Sequence, residues 1–114
     1  MHELSIALNV IRIAEGEADR IGGRVSAVHL RIGALSGVAR EALLFSYDVA
    51  TADTPLAGSR LVIEEIPVLV YCSRCDTERQ LPSPQLFVCP VCQSATPDIR
   101  AGRELQVMAL EMVS

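Results

Sequence analysis

From Leu4 to Arg20 the chain repeats apolar positions at helical spacing. Leu4, Leu8 and Ile11, with Ala7, Ala14 and Ala18, recur along one side, and Arg12, Glu15, Asp19 and Arg20 mark the other. The pattern predicts an amphipathic helix that Gly22 and Gly23 end. The period then drops to two: in "VSAVHLRIG", Val28, Leu30 and Ile32 share one face of a strand that closes at Gly33. His29 falls out of phase with these residues, as an exposed strand position would. A second helix is expected from about Val38 to Thr51, capped by Ser36 or Gly37, with Leu43, Leu44, Tyr47 and Ala50 on its buried face. "TADTPLAGSR" reads as a loop, "LVIEEI" as a strand ended by Pro67, and "RELQVMALEMV" as a last strand with Leu105, Val107 and Ala109 alternating against Gln106, Met108 and Leu110.

Between residues 71 and 92 neither period persists, and all 4 cysteines fall there. The order expected is therefore αβαβ, an inserted cysteine module and a last β-strand. The domain bounds expected are 1–68 with 98–114 for the α/β part and 69–97 for the ribbon.

Composition narrows the function classes. The chain has 114 residues, with 2 Phe, 2 Tyr and no Trp, so its core rests on Leu, Ile, Val and Ala and gains from a staple. A net charge of −4 without a basic cluster argues against a nucleic-acid partner. No apolar run approaches the roughly 20 residues of a membrane helix, and Glu3 with no basic leader argues against secretion. The expectation is a cytoplasmic protein with no membrane contact.

Cys72, Cys75, Cys89 and Cys92 form C-x2-C-x13-C-x2-C, two knuckles able to close on one tetrahedral ion, with an intervening loop slightly shorter than the commonest ribbon spacing. Zn(II) suits four thiolates, and such a closed site is structural rather than catalytic. Two disulfides or a rubredoxin-like iron are the rivals. Asp76 and Gln93 stand where ribbon knuckles usually carry glycine. Asp tolerates a positive φ, and Gln does so less well.

At the other end, His2 follows Met1 directly. A bulky second residue disfavours methionine removal, so the Met1 α-amine is expected to stay free. With the His2 amide and imidazole, that amine could form fused chelate rings suited to planar Ni(II) or Cu(II). A solvated chain end explains the same residues, and Glu3 also suits the positive end of the following helix.

"MHE" at the start, "RIGALSGV" followed by "EALLFSYDV", "IEEIPV" before the first knuckle, the paired knuckles, and "GREL" before the last strand together resemble the HypA/HybF family of hydrogenase maturation factors, over essentially the whole chain. The resemblance implies a nickel metallochaperone, not an enzyme, that binds Ni(II) as cargo and delivers it to the large subunit of [NiFe]-hydrogenase with the GTPase HypB. The fold it implies is α+β: a three-stranded sheet with two helices on one face and an inserted zinc-ribbon module. A homodimer is among the states the resemblance allows. It implies His2 as principal nickel ligand, Glu3 and the Met1 α-amine as contributors, and structural Zn(II) on Cys72, Cys75, Cys89 and Cys92. Some members add a carboxylate at the start of the second helix. Here "GVARE" offers Glu41, preceded by Arg40 where the family often has proline. The other class of function considered is a zinc-ribbon interaction module that binds nucleic acid or protein.

Overall fold

The structure is a computed structural model and describes residues 2–113. Its elements run α1 (Glu3–Ile21), β1 (Arg24–Gly33), α2 (Arg40–Thr51), β2 (Arg60–Ile66), β3 (Leu69–Cys72), β4 (Thr77–Gln80), β5 (Asp98–Ala101) and β6 (Leu105–Val113). They form two sheets of three strands, ordered β2-β1-β6 and β4-β3-β5. The α+β class with two helices and a three-stranded sheet is as the sequence led us to expect.

The chain divides into two compact units. One takes the chain up to Leu30, Val38–Glu64 and the stretch from Gln106 onward; the other takes Arg31–Gly37 and Glu65–Leu105.

In the first unit α1 packs against α2. The buried stripe of α1 is Ala7, Val10, Ile11 and Ala14, the i, i+3, i+4, i+7 set of one helix face. Leu4 and Leu8, expected on that face, are 50% and 53% exposed. At 100° per residue they lie roughly 70° and 110° round the axis from the middle of the buried stripe. Two alanines in the stripe leave room for a large partner, and α2 supplies Leu43 and Tyr47, both fully buried. The Tyr47 hydroxyl pairs with Ser59 Oγ at 2.7 Å, so the ring is buried without orphaning its polar end.

Helix α2 starts at Arg40, with Ala39 rather than Ser36 or Gly37 as its N-cap. Gly37 adopts φ 75°, outside the extended backbone usual for an N-cap, and Ser36 N–H donates to Gly33 C=O at 3.0 Å in the turn before it. Ala39 has no side chain to cap with, and a carboxylate from α1 takes that role, as described below.

The second unit holds a small core of Val68, Val70 and Leu81, with Leu35, Phe87 and Ile99 packed against it. Strand β3 pairs antiparallel with β4 and with β5. The absence of a strand period over 71–92 misled here, because β3 ends at Cys72 and β4 lies wholly inside that interval. Strands of 4 residues are too short for an alternation to register, and the knuckle turn, not the pattern, sets their pairing.

Residues 31–37 join this unit through backbone bonds. Gly33 N–H donates to Glu104 C=O at 2.8 Å, Ala34 N–H to Ile66 C=O at 2.9 Å and Leu35 N–H to Gly102 C=O at 2.7 Å. The two segments approach so closely at Gly33 that a Cβ there would sit 2.1 Å from the Gly102 carbonyl. The "RIGALSGV" and "GREL" motifs are therefore two sides of one backbone crossing.

Candidate metal centres

The four cysteines come from two tight turns. Cys72 ends β3, and Cys75 precedes Asp76 at φ 53°; Cys89 and Cys92 flank the second turn, and Gln93 follows at φ 63°. Both knuckles thus adopt the left-handed backbone that glycine would supply. Gln93 N–H donates to Cys89 C=O at 2.8 Å, and Cys89 N–H donates to Ser94 C=O at 2.8 Å, which locks the second turn. At the first turn the Tyr71 hydroxyl donates to Asp76 Oδ1. Tyr71 lies under the Arg100 guanidinium at 4.7 Å, and Arg100 pairs with Asp98 at 2.8 Å.

These turns gather all four sulfurs within 4.8 Å of one another. Cys72 and Cys92 Sγ are 3.4 Å apart and Cys75 and Cys89 Sγ 3.9 Å apart. A tetrahedral Zn(II) with bonds of about 2.3 Å requires sulfur separations near 3.8 Å, whereas a disulfide requires about 2.05 Å. The cluster has the dimensions of an ion site, and Cys72 and Cys89 are buried.

Backbone amides already point at the sulfurs. Cys75 N–H donates to Cys72 Sγ, and Val91 and Cys92 N–H both donate to Cys89 Sγ, each at 3.4 Å. The Cys92 amide, with that of Val91, outweighs burial and lowers the Cys89 thiol to about 6. Cys92 is lowered mainly by Ser94. For Cys72 the Cys75 amide pulls the other way, but burial and hydrogen bonding to Cys92 and Cys89 leave it raised to about 11. The cluster thus holds negative charge on the second knuckle and resists it on Cys72, and a dication is what would ionise all four together.

Sequence reasoning overlooked Arg79, which reads as an ordinary polar position on a short strand. In β4 it pairs with Val70, and its Nε is buried with no hydrogen-bond acceptor. Hydrogen bonding to Cys75, against the effect of burial and with help from Cys89, holds its pKa above the usual arginine value. Only the strand register brings it to the sulfurs, and no motif announces it.

At the amino terminus, His2 is the exposed N-cap of α1, in extended backbone (φ −84°, ψ 99°), and its side chain makes no capping hydrogen bond. The Met1 α-amine lies outside the described residues. Glu3 Oε2 accepts the Ala39 N–H at 3.0 Å. That bond, with one from Glu3's own amide, holds the carboxyl below the usual range. Glu3 therefore ties the first turn of α1 to the start of α2 and caps the helix that lacks a cap of its own. Glu41, in that first turn of α2, has a side chain 86% exposed and pairs with Arg40 at 3.1 Å. No second group of three His, Cys, Asp or Glu side chains gathers round one point among the described residues.

His29 is half-buried on β1, with Nε2 2.6 Å from Glu111 Oε2 on β6, and Arg60 on β2 approaches the same oxygen at 3.4 Å. These three side chains meet across the β2-β1-β6 sheet.

Residues 1–112 match the family model described as "Hydrogenase/urease nickel incorporation, metallochaperone, hypA". The chain is 54% identical over 112 residues to the hydrogenase maturation factor HypA of Chloroflexus aurantiacus, covering 97% of this chain and 98% of that protein. It is 40% identical over 114 residues to the HypA of Desulfosudis oleivorans, with 98% of each chain covered. The solution structure of the nickel metallochaperone HypA from Helicobacter pylori superposes with a TM-score of 0.67 at 22% identity, over 100% of this chain and 99% of that one. A second HypA solution structure gives 0.72 at 23% identity, over 99% and 97%.

Proposed function

Since the chain belongs to the HypA family of hydrogenase/urease nickel-incorporation metallochaperones, which are maturation factors and not enzymes, we propose that it carries Ni(II) at its amino terminus and hands it on during maturation of [NiFe]-hydrogenase. The observation that carries this reading is the Glu3–Ala39 bond: it pins the first turn of α1, yet leaves His2 exposed and extended beside it.

The Met1 α-amine, the His2 amide and the His2 imidazole supply three nitrogens in fused rings, which favours planar Ni(II) over Zn(II). Binding through an amide nitrogen expels its proton, so nickel affinity rises with pH. Glu3 contributes its backbone and its tether, because its carboxylate is already spent on Ala39. That tether also brings the start of α2 to the chain end, which makes Glu41 a candidate for the remaining coordination position. An exposed chain-end chelate can be attacked by a competing ligand, so the cargo leaves by ligand exchange without unfolding the carrier. The acceptor in this reading is the hydrogenase large subunit, and nucleotide hydrolysis is left to the GTPase HypB.

Cys72, Cys75, Cys89 and Cys92 hold Zn(II), a charge that ionises all four thiols and staples the unit around Val68 and Val70. With every position filled by sulfur, this ion has a structural role. The nickel-binding and ribbon functions then divide between 1–68 with 98–114 and 69–97.

Calorimetric titration of Ni(II) into the protein and into His2→Ala tests the reading. Loss of stoichiometric nickel binding with the zinc content unchanged is expected. Undiminished nickel binding by His2→Ala would rule it out.

A further inference from the structure

We propose that Arg79 is the charge-balancing residue of the four-cysteine centre, a positioning residue that sets how tightly the centre holds its ion. The inference rests on the zinc reading of the cysteines given above.

Four thiolates around a divalent cation carry a net charge of −2, and Cys72 and Cys89 are fully buried. Negative charge in such a place is costly unless donors and cations face it. The backbone meets part of the need through the amides of Cys75, Val91 and Cys92, each 3.4 Å from a sulfur. These are dipoles and leave the net charge unchanged.

Arg79 supplies the missing unit charge. Antiparallel pairing sets it opposite Val70, a residue of the small core two positions before Cys72, which fixes where its stem leaves the strand. Val70 and Cys72 share one face of β3, so the register turns Arg79 toward the face that carries the Cys72 sulfur, and hydrogen bonding to Cys75 and Cys89 favours its charged form. A planar guanidinium can donate to sulfurs of both knuckles at once, which a single ammonium does less well. Its Nε is buried with no acceptor, a desolvation that a negative neighbour offsets. Arg100, by contrast, is occupied with Asp98 and the Tyr71 ring.

The test is a competition titration of the full-length, zinc-loaded protein against a chromophoric chelator, repeated on Arg79→Met. A loss of at least roughly 10-fold in zinc affinity is expected, the range in which groups that orient metal ligands act. The same variant loaded with Co(II) should show shifted sulfur-to-metal charge-transfer bands, which a merely structural role would not move. Unchanged affinity together with an unchanged Co(II) spectrum would overturn the proposal. If Arg79→Met does not fold, Arg79→Gln decides: weaker zinc binding supports the proposal and wild-type binding overturns it. A wild-type protein that takes up no zinc would instead refute the reading of the cysteines themselves.

Discussion

Gln93 holds a left-handed backbone that its side chain does not favour, and the fold accepts this because Gln93 N–H closes the second knuckle on Cys89. Replacing it with glycine removes the steric penalty and leaves the amide bond in place. Gln93→Gly should therefore stabilise the zinc-loaded protein by about 1 kcal/mol, read as a higher thermal midpoint. Asp76 adopts the same conformation, yet its carboxylate also accepts the Tyr71 hydroxyl, so the equivalent change there should gain less. Glu3 makes a pH prediction. Its folded pKa lies below the ordinary carboxylate value, so its contribution is fully present above about pH 4.5 and is lost as pH falls toward its own lower value. Glu3→Gln should flatten the acid limb of a stability-against-pH curve without changing the zinc content. The sequence shows the residue types at both centres. It cannot show that the Glu3 carboxylate is spent on Ala39, because that partner lies 36 positions away and is chosen by helix packing.

At the scale of elements, two glycines give opposite expectations. Gly16 lies inside α1 with nothing within 4 Å of where a Cβ would stand, so Gly16→Ala should add about 0.8–1 kcal/mol of stability. Gly33 ends β1 where a Cβ would meet the Gly102 carbonyl at 2.1 Å, and backbone cannot step aside as a side chain can. Gly33→Ala should cost about 3 kcal/mol, the upper end for overpacking, in a denaturant titration. Helices α1 and α2, β1, β2 and β6 were legible because each is long enough to repeat its period. Leu4 and Leu8 were misplaced because α1 offers more apolar residues than α2 can cover, and the alanines, not the leucines, mark the seam. Strands β3, β4 and β5 were illegible because 4 residues carry no period, and the turns between cysteines do the aligning.

For the whole molecule, the two compact units should respond differently to loss of the ion. The unit of α1 and α2 has its own core in Ala7, Ile11, Leu43 and Tyr47. The cysteine-bearing unit has only a small apolar cluster around Val68, Val70 and Leu81, so its folding leans on the ion. Chelation, or Cys72→Ala, should abolish amide protection in β3, β4 and β5 while leaving helical circular dichroism largely intact. What no single element could reveal is the order of the motifs along the chain, and it is that order on which the proposal of nickel at the chain end rests.

The central claim is that nickel is held at the chain end through the α-amine and His2. Its most direct test is Ni(II) stoichiometry on protein with an authentic Met1 and on protein with one extra residue before it, with zinc measured in the same samples. One tightly bound nickel per chain should appear in the first and vanish in the second, with zinc at one per chain in both. Equal nickel binding by the extended chain would contradict the account.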